Sequence, residues 1–142
     1  MELETFRWIA GQWTYENHVP ATSLSPHYVD AGRMIYSMPE GKGWVCVDLP
    51  DGRQEQQITF DPFSGQWVYV LTRGSYGILH SQKGWAGNRI AFEGPMTMVG
   101  VDCHWRMTWT RNSDNQFMFV NEEQSDDGSW SYIDEWRFNR AT

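Results

Sequence analysis

The sequence predicts an all-β fold: a closed antiparallel barrel of about ten strands, entered through a short N-terminal helical turn. Three observations carry that prediction. Turn signals recur at short intervals, from Pro39-Glu40-Gly41 to Ser125-Asp126-Asp127-Gly128, and in them Gly, Asn and Asp supply the positive φ angles of tight turns while Pro ends strands. Many of the runs between the turns alternate apolar and polar side chains, which is the strand period. The chain also opens on Gly11-Gln12-Trp13 and closes on the aromatic, arginine-bearing run from Trp130 to Arg140, a pair of ends suited to a sheet that closes on itself.

Taken in order, a short apolar turn from Leu3 to Ile9 precedes Gly11, and a strand over 12–19 puts Trp13, Tyr15 and Asn17 on one face. Strands over 28–38 and 43–49 follow, bounded by Pro39-Glu40-Gly41 and Pro50-Asp51-Gly52. The strand over 54–61 sets Gln56, Ile58 and Phe60 against Glu55, Gln57 and Thr59, and Asp61-Pro62-Phe63-Ser64-Gly65 turns the chain. Both faces of 66–73 are apolar, so alternation assigns no side there. After Arg73-Gly74-Ser75, the strand over 76–82 carries Tyr76, Ile78 and His80 on one face, read as inward. Lys83-Gly84-Trp85-Ala86-Gly87 leads to 88–94 and then 97–110, with a break expected near Gly100. In that segment Cys103, Trp105, Met107 and Trp109 face in, while His104, Arg106, Thr108 and Thr110 face water. Beyond Asn112-Ser113-Asp114-Asn115 come 116–124 and 129–139, the last with Trp130, Tyr132, Asp134, Trp136 and Phe138 inward. With no linker, repeat or low-complexity segment, residues 1–142 read as one domain.

Composition narrows the function classes. Nine Trp, seven Phe and six Tyr are more ring surface than a minimal core needs, so the rings either fill the core or line a cavity. A net charge of −7, without a basic stripe, argues against nucleic acid and anionic membrane as partners. The histidines at 18, 27, 80 and 104 lack metal-ligand spacing, and the cysteines at 46 and 103 are far apart, so no metal site is expected. The acidic start of the chain is not a signal peptide, and no apolar run reaches membrane-spanning length. A cytoplasmic protein with reduced thiols is the expectation.

With these residues in view, the chain resembles the calycin superfamily, which includes lipocalins and fatty-acid-binding proteins. Gly11-Gln12-Trp13 is similar to its Gly-x-Trp opening. The resemblance implies that Trp13 plugs one barrel end under an arginine of the closing strand, with Arg140 the first candidate and Arg137 the second. Phe6-x-x-Ile9-Ala10-Gly11-Gln12-Trp13, Phe60-Asp61-Pro62, Gly84-Trp85 and Glu135-x-x-Phe138-x-Arg140 resemble, in order, a bacterial lipocalin-like family of unknown function related to the nitrobindins. That likeness implies a ten-stranded antiparallel barrel. Nitrobindins bind haem through a histidine close to the start of the last strand. Asp127-Gly128-Ser129-Trp130-Ser131-Tyr132 has none there, so no cofactor is expected, and haem would need His80 as a surrogate ligand.

The chemistry-bearing residues leave two functional readings open. In the first, the barrel binds a small apolar or aromatic molecule, with Tyr15, Asn17, Gln56, Tyr76, Trp105, Trp109 and Tyr132 as ligand contacts. A few polar groups among rings are what orients a ligand in an apolar pocket, and Asn121 is a further inward amide. In the second, the barrel is a cofactor-free enzyme, a lyase, isomerase or cyclase, in which His80 and Asp134 move protons with a Tyr. An inward carboxylate at Asp134 needs a partner or water; Arg33, Arg73 or a Tyr would serve. A solid, side-chain-filled barrel is the structural alternative to both. The Pro20–Pro26 and Gly84–Gly87 connections are the candidate mouth loops.

Overall fold

The structure is a computed structural model that describes residues 2–50 and 54–142. A 3-10 helix, Glu2–Ile9, leads into ten strands: β1 (Gly11–Val19), β2 (Tyr28–Ser37), β3 (Val45–Asp48), β4 (Gln54–Asp61), β5 (Gln66–Arg73), β6 (Ser75–Ser81), β7 (Arg89–Met98), β8 (Val101–Ser113), β9 (Gln116–Gln124) and β10 (Trp130–Arg140). All ten form one closed antiparallel barrel in which each strand pairs with its sequence neighbours, and β1 pairs with β10 to seal the sheet. This is the predicted fold, an up-and-down barrel with no exposed sheet edge. The Pro50-Asp51-Gly52 turn falls largely outside the described residues.

Because the strands alternate in direction, one end of the barrel carries the start of β1 and the end of β10, with the 3-10 helix and the turns after β2, β4, β6 and β8. We call this end the floor and the other the mouth. At the floor, Trp13 is fully buried and its Nε1–H donates to the Ile9 carbonyl at 2.7 Å. The Arg140 guanidinium lies 4.4 Å from the Trp13 ring centroid. It donates to the Ala10 carbonyl at 2.9 Å and to the Asp114 carbonyl at 2.6 Å. The expected tryptophan plug and arginine cover are therefore both present, and the arginine is Arg140. Gly11 is required there: its φ is +134°, and a Cβ on it would stand 2.6 Å from Arg140 Nη1.

An eight-stranded barrel is about the size that ordinary side chains can fill, and ten strands enclose more. The floor closes that extra width with rings. Phe117 stacks on Phe138 at 4.3 Å and on Trp109 at 5.3 Å, and meets Trp13 edge-on at 4.8 Å. Phe6 from the 3-10 helix packs against Trp67 and Trp85 at 5.0 and 5.1 Å. Offset and edge-to-face ring pairs of this kind each add about 0.5–1.5 kcal/mol beyond area burial.

Two segments depart from the sequence expectation. The strands predicted at 88–94 and 97–110 are Arg89–Met98 and Val101–Ser113, joined through Val99 and Gly100 at positive φ. Pro95 does not end β7, because its ring only removes a donor and the β7–β8 ladder continues through Pro95 opposite His104. The face of β6 is also reversed. Tyr76 and Ile78 are 59% and 50% exposed, while Leu79 is fully buried and Ser81 is 3% exposed. Gly77 occupies an inward position without a side chain, so the apolar residues that set the apparent alternation are the outward ones. They flank a groove on the outer wall.

Candidate functional site

Above the ring-packed floor the barrel holds a cavity of about 230 Å³. Met34, Met96, Met98 and Met107, with Trp105, Phe119 and Trp136, form most of its wall, and Gln56, Ser75, Asn121 and Asp134 supply its polar groups. The described lining comes from eight of the ten strands. It lies toward the mouth, where Ser75 and Met98 end their strands. The Pro20–Pro26 connection is at this end. The Gly84–Gly87 connection is at the floor, where Trp85 packs on Phe6.

Asp134 enters the cavity through a bulge in β10. The β9–β10 register shifts between Tyr132 and Asp134, which inserts Ile133 as the extra residue. Below the bulge the predicted even face holds: Asp134 and Trp136 line the cavity and Phe138 is fully buried. Above it the face flips. Tyr132 is 47% exposed and its hydroxyl donates to Glu135 Oε1 at 2.9 Å. The inward assignment of Tyr132 is therefore corrected. Desolvation, then the bond to Glu135, pushes its phenol up to about 12.

The Asp134 carboxylate is held by two amides. Asn17 Nδ2 donates to Oδ2 at 3.1 Å and Asn121 Nδ2 donates to Oδ1 at 2.8 Å. The Asn121 amide is oriented in turn by Trp105, whose Nε1–H donates to Asn121 Oδ1 at 3.0 Å. Asn17 and Asn121 are 7% and 6% exposed, so the array is fixed in a largely water-free wall. No ion pair joins Asp134 to a cation among the described residues. The expected salt bridge to Arg33 is replaced by the two amides, and the Arg73 side chain lies outside the described residues. Across the cavity, the Tyr69 hydroxyl donates to Gln56 Oε1.

The remaining candidates are distributed differently from the expectation. Gln56 and Trp105 line the cavity, as does Asp134. Asn17 stands behind the wall. Tyr15 faces inward but packs on Trp136 at 5.0 Å and over Gly32, where a Cβ would meet the Tyr15 hydroxyl at 2.6 Å. Trp109 is 1% exposed within the floor stack. Tyr76 and His80 are on the outer wall, a correction to their inward assignment. His80 is exposed and pairs across the ladder with Glu93. It borders an outer groove of about 440 Å³ with Arg106 and Thr108. His80 and Asp134 thus lie on opposite faces of the sheet, and the acid–base pair of the enzyme reading is not assembled. The methionine wall was only partly legible beforehand: Met107 is in the inward set of 103–109, and Met96 and Met98 alternate along a strand read as ending at residue 94.

The cysteines are free, Cys46 buried and Cys103 half-buried. Desolvation pushes both thiols up, with nearby carboxylates adding to it, so neither is a ready thiolate. Among the described residues no group of three or more His, Cys, Asp or Glu side chains could hold a metal ion, and no helix is long and apolar enough to cross a membrane. A haem held as in the nitrobindins takes an imidazole inside the barrel. None of the four histidines lines the cavity, so these residues do not fit a haem held that way.

Fold and cavity together define a closed ten-stranded antiparallel barrel with a plugged floor and a cavity in its upper interior. No protein-family model matches the chain, and no curated protein matches it. Among solved structures it is similar to Rv2717c from M. tuberculosis, at a TM-score of 0.61 and 10% identity over 99% of this chain and 98% of that one. At that identity the likeness is one of fold. A redesigned β-barrel, b11L5F_LGL, aligns at a TM-score of 0.42 and 12% identity over 96% of this chain and 94% of that one.

Proposed function

We propose that this protein binds a small apolar or aromatic molecule in the upper cavity of the barrel. The observation that carries the reading is the contrast within one interior: rings close the floor, while the upper half keeps about 230 Å³ open behind apolar walls. A few fixed polar groups, Asp134, Asn121 and Gln56, converge on it, which is the composition of a ligand site. The volume is below the roughly 300–1,000 Å³ of typical small-molecule pockets, so the occupant is compact, with one or two rings.

The test is a titration with 1-naphthalenemethanol, a neutral bicyclic probe, followed by Trp emission. Trp105 and Trp136 line the cavity, so occupancy is expected to quench saturably with a dissociation constant on the order of 10 μM. A flat emission trace up to millimolar probe, confirmed by calorimetry, would overturn the reading and leave the barrel a structural module.

A further inference from the structure

We propose that the ligand carries a protonated amine on its apolar or aromatic body, and that the ammonium docks on Asp134. This inference rests on the upper cavity being the binding site and names the chemistry that the site selects.

Asp134 is the one ionisable residue among the described side chains that line the cavity. Its two partners, Asn17 and Asn121, are neutral. They fix the carboxylate in place and leave its charge uncompensated. An ionised carboxylate offers about four acceptor positions, of which these amides take two. Orientation is not free to change. The indole N–H of Trp105 is donor-only and holds Asn121 Oδ1, so the Asn121 amide must present N–H to Asp134. Opposite, Gln56 Oε1 is already engaged by Tyr69. The acceptor that the cavity presents is therefore the Asp134 carboxylate, while Gln56, with its Oε1 engaged, has its Nε2–H donors left over. Among the described side chains no cation lines the cavity, so there a carboxylate or phosphate ligand would face Asp134 without compensation.

The walls agree with a cation. Trp105, Trp136 and Phe119 surround the site, and ring faces attract ammonium groups. The methionine thioethers are soft and adaptable, suited to the apolar part of the ligand. The charge distribution of the whole barrel points the same way. Asp30, Asp48, Asp102, Glu123, Asp126 and Asp127 sit on the strand ends and turns of the mouth, against Arg73, which ends β5 there. Arg106, in the upper half of β8, is bound to Glu122 at 3.0 Å. Arg7, Lys42, Lys83, Arg89, Arg111 and Arg140 lie at the floor, among Glu2, Glu4, Glu40, Asp61 and Asp114. In a chain of net charge −7, this puts the negative potential at the entrance and draws cations toward it.

The experiment is a charge ladder on one ring system: 1-naphthylmethylamine, 1-naphthalenemethanol and 1-naphthoate titrated into the wild-type protein at neutral pH, read by Trp quenching and calorimetry. The amine is expected to bind at least about 10-fold more tightly than the alcohol, through a charge-assisted bond, and the carboxylate most weakly. Asp134→Asn, checked for fold by circular dichroism, is expected to remove the preference for the amine over the alcohol, whatever the change in alcohol binding itself. Should that variant not fold, the wild-type ladder decides alone. Alcohol binding as tight as amine binding, or carboxylate binding that matches it, overturns the amine inference and leaves the binding function standing. Persistence of the amine preference in folded Asp134→Asn overturns the assignment to that residue. Failure of all three probes to bind overturns both proposals.

Discussion

The two halves of the barrel interior solve the same geometric problem in opposite ways. Both must occupy a cross-section wider than ordinary side chains span. At the floor, Trp13, Trp109, Phe117 and Phe138 fill it, each at most 1% exposed, and Arg140 seals it from beneath. At the mouth, methionines and amides share the same cylinder with Trp105, Phe119 and Trp136 and leave it open. The difference teaches that ring content alone does not decide between a solid and a hollow barrel. What decides is the level along the barrel axis at which the rings are placed. The floor carries stability, and the mouth gives up packing to keep a space whose few polar groups are held in one orientation.

The comparison can be broken most severely at the floor. Trp13→Ala is expected to cost about 3–5 kcal/mol of unfolding free energy, since the ring is fully buried, hydrogen-bonded to Ile9 and covered by Arg140. Urea unfolding measures it, and a loss below about 1 kcal/mol would mean that Trp13 is not a core plug.

Added volume should separate the halves more finely. Phe117→Trp inserts bulk into a stack with no slack and is expected to cost about 1–3 kcal/mol. Met98→Phe inserts bulk beside the cavity. It is expected to change stability by less than about 1 kcal/mol, while weakening 1-naphthalenemethanol binding at least about 10-fold by occupying its space. Equal destabilisation at the two positions would show that the upper interior is as tightly packed as the floor.

The smallest expected effect is on the outer wall, where pH is the lever. The Glu135 carboxyl is held below its ordinary value of 4.5, first by the bond from Arg137 and further by the Tyr132 hydroxyl. A depressed folded value means that the native state binds protons less readily than the unfolded chain. The contribution is therefore present above 4.5 and lost as pH falls through and below it. The Arg137 partner is about half exposed, so solvent screens the pair and the loss stays below about 1 kcal/mol. Asp61 and Asp127 are lowered by their serine neighbours and titrate in the same acid range. The readout is thus the difference between wild type and Arg137→Gln in urea midpoint against pH. The two curves should converge on acidification, and a constant gap from neutral pH into the acid limb would remove Glu135 from the account.

The parts of the fold legible in the sequence were those set by local rules. Strand period, turn residues and the matched ends of the chain determined an antiparallel closed barrel of ten strands. The same rules determined the inward faces of 103–109 and of 134–138, while the floor plug Trp13 and the arginine candidates for its cover, Arg140 and then Arg137, came from the resemblance. Asp134, Gln56, Trp105 and the Asn17 and Asn121 amides were readable as inward for the same reason, because a residue's face follows from counting by two. Tertiary structure decided what counting by two misses. The bulge at Ile133 flips Tyr132 outward, and the empty inward position at Gly77 made the outer face of β6 look like the inner one, which carried His80 and Tyr76 to the wrong side. It also decided the heights of residues along the barrel axis, which depend on register between strands distant in sequence. Height is what puts Trp109 in the packed floor and Trp105, four residues earlier on the same face, in the wall of the cavity.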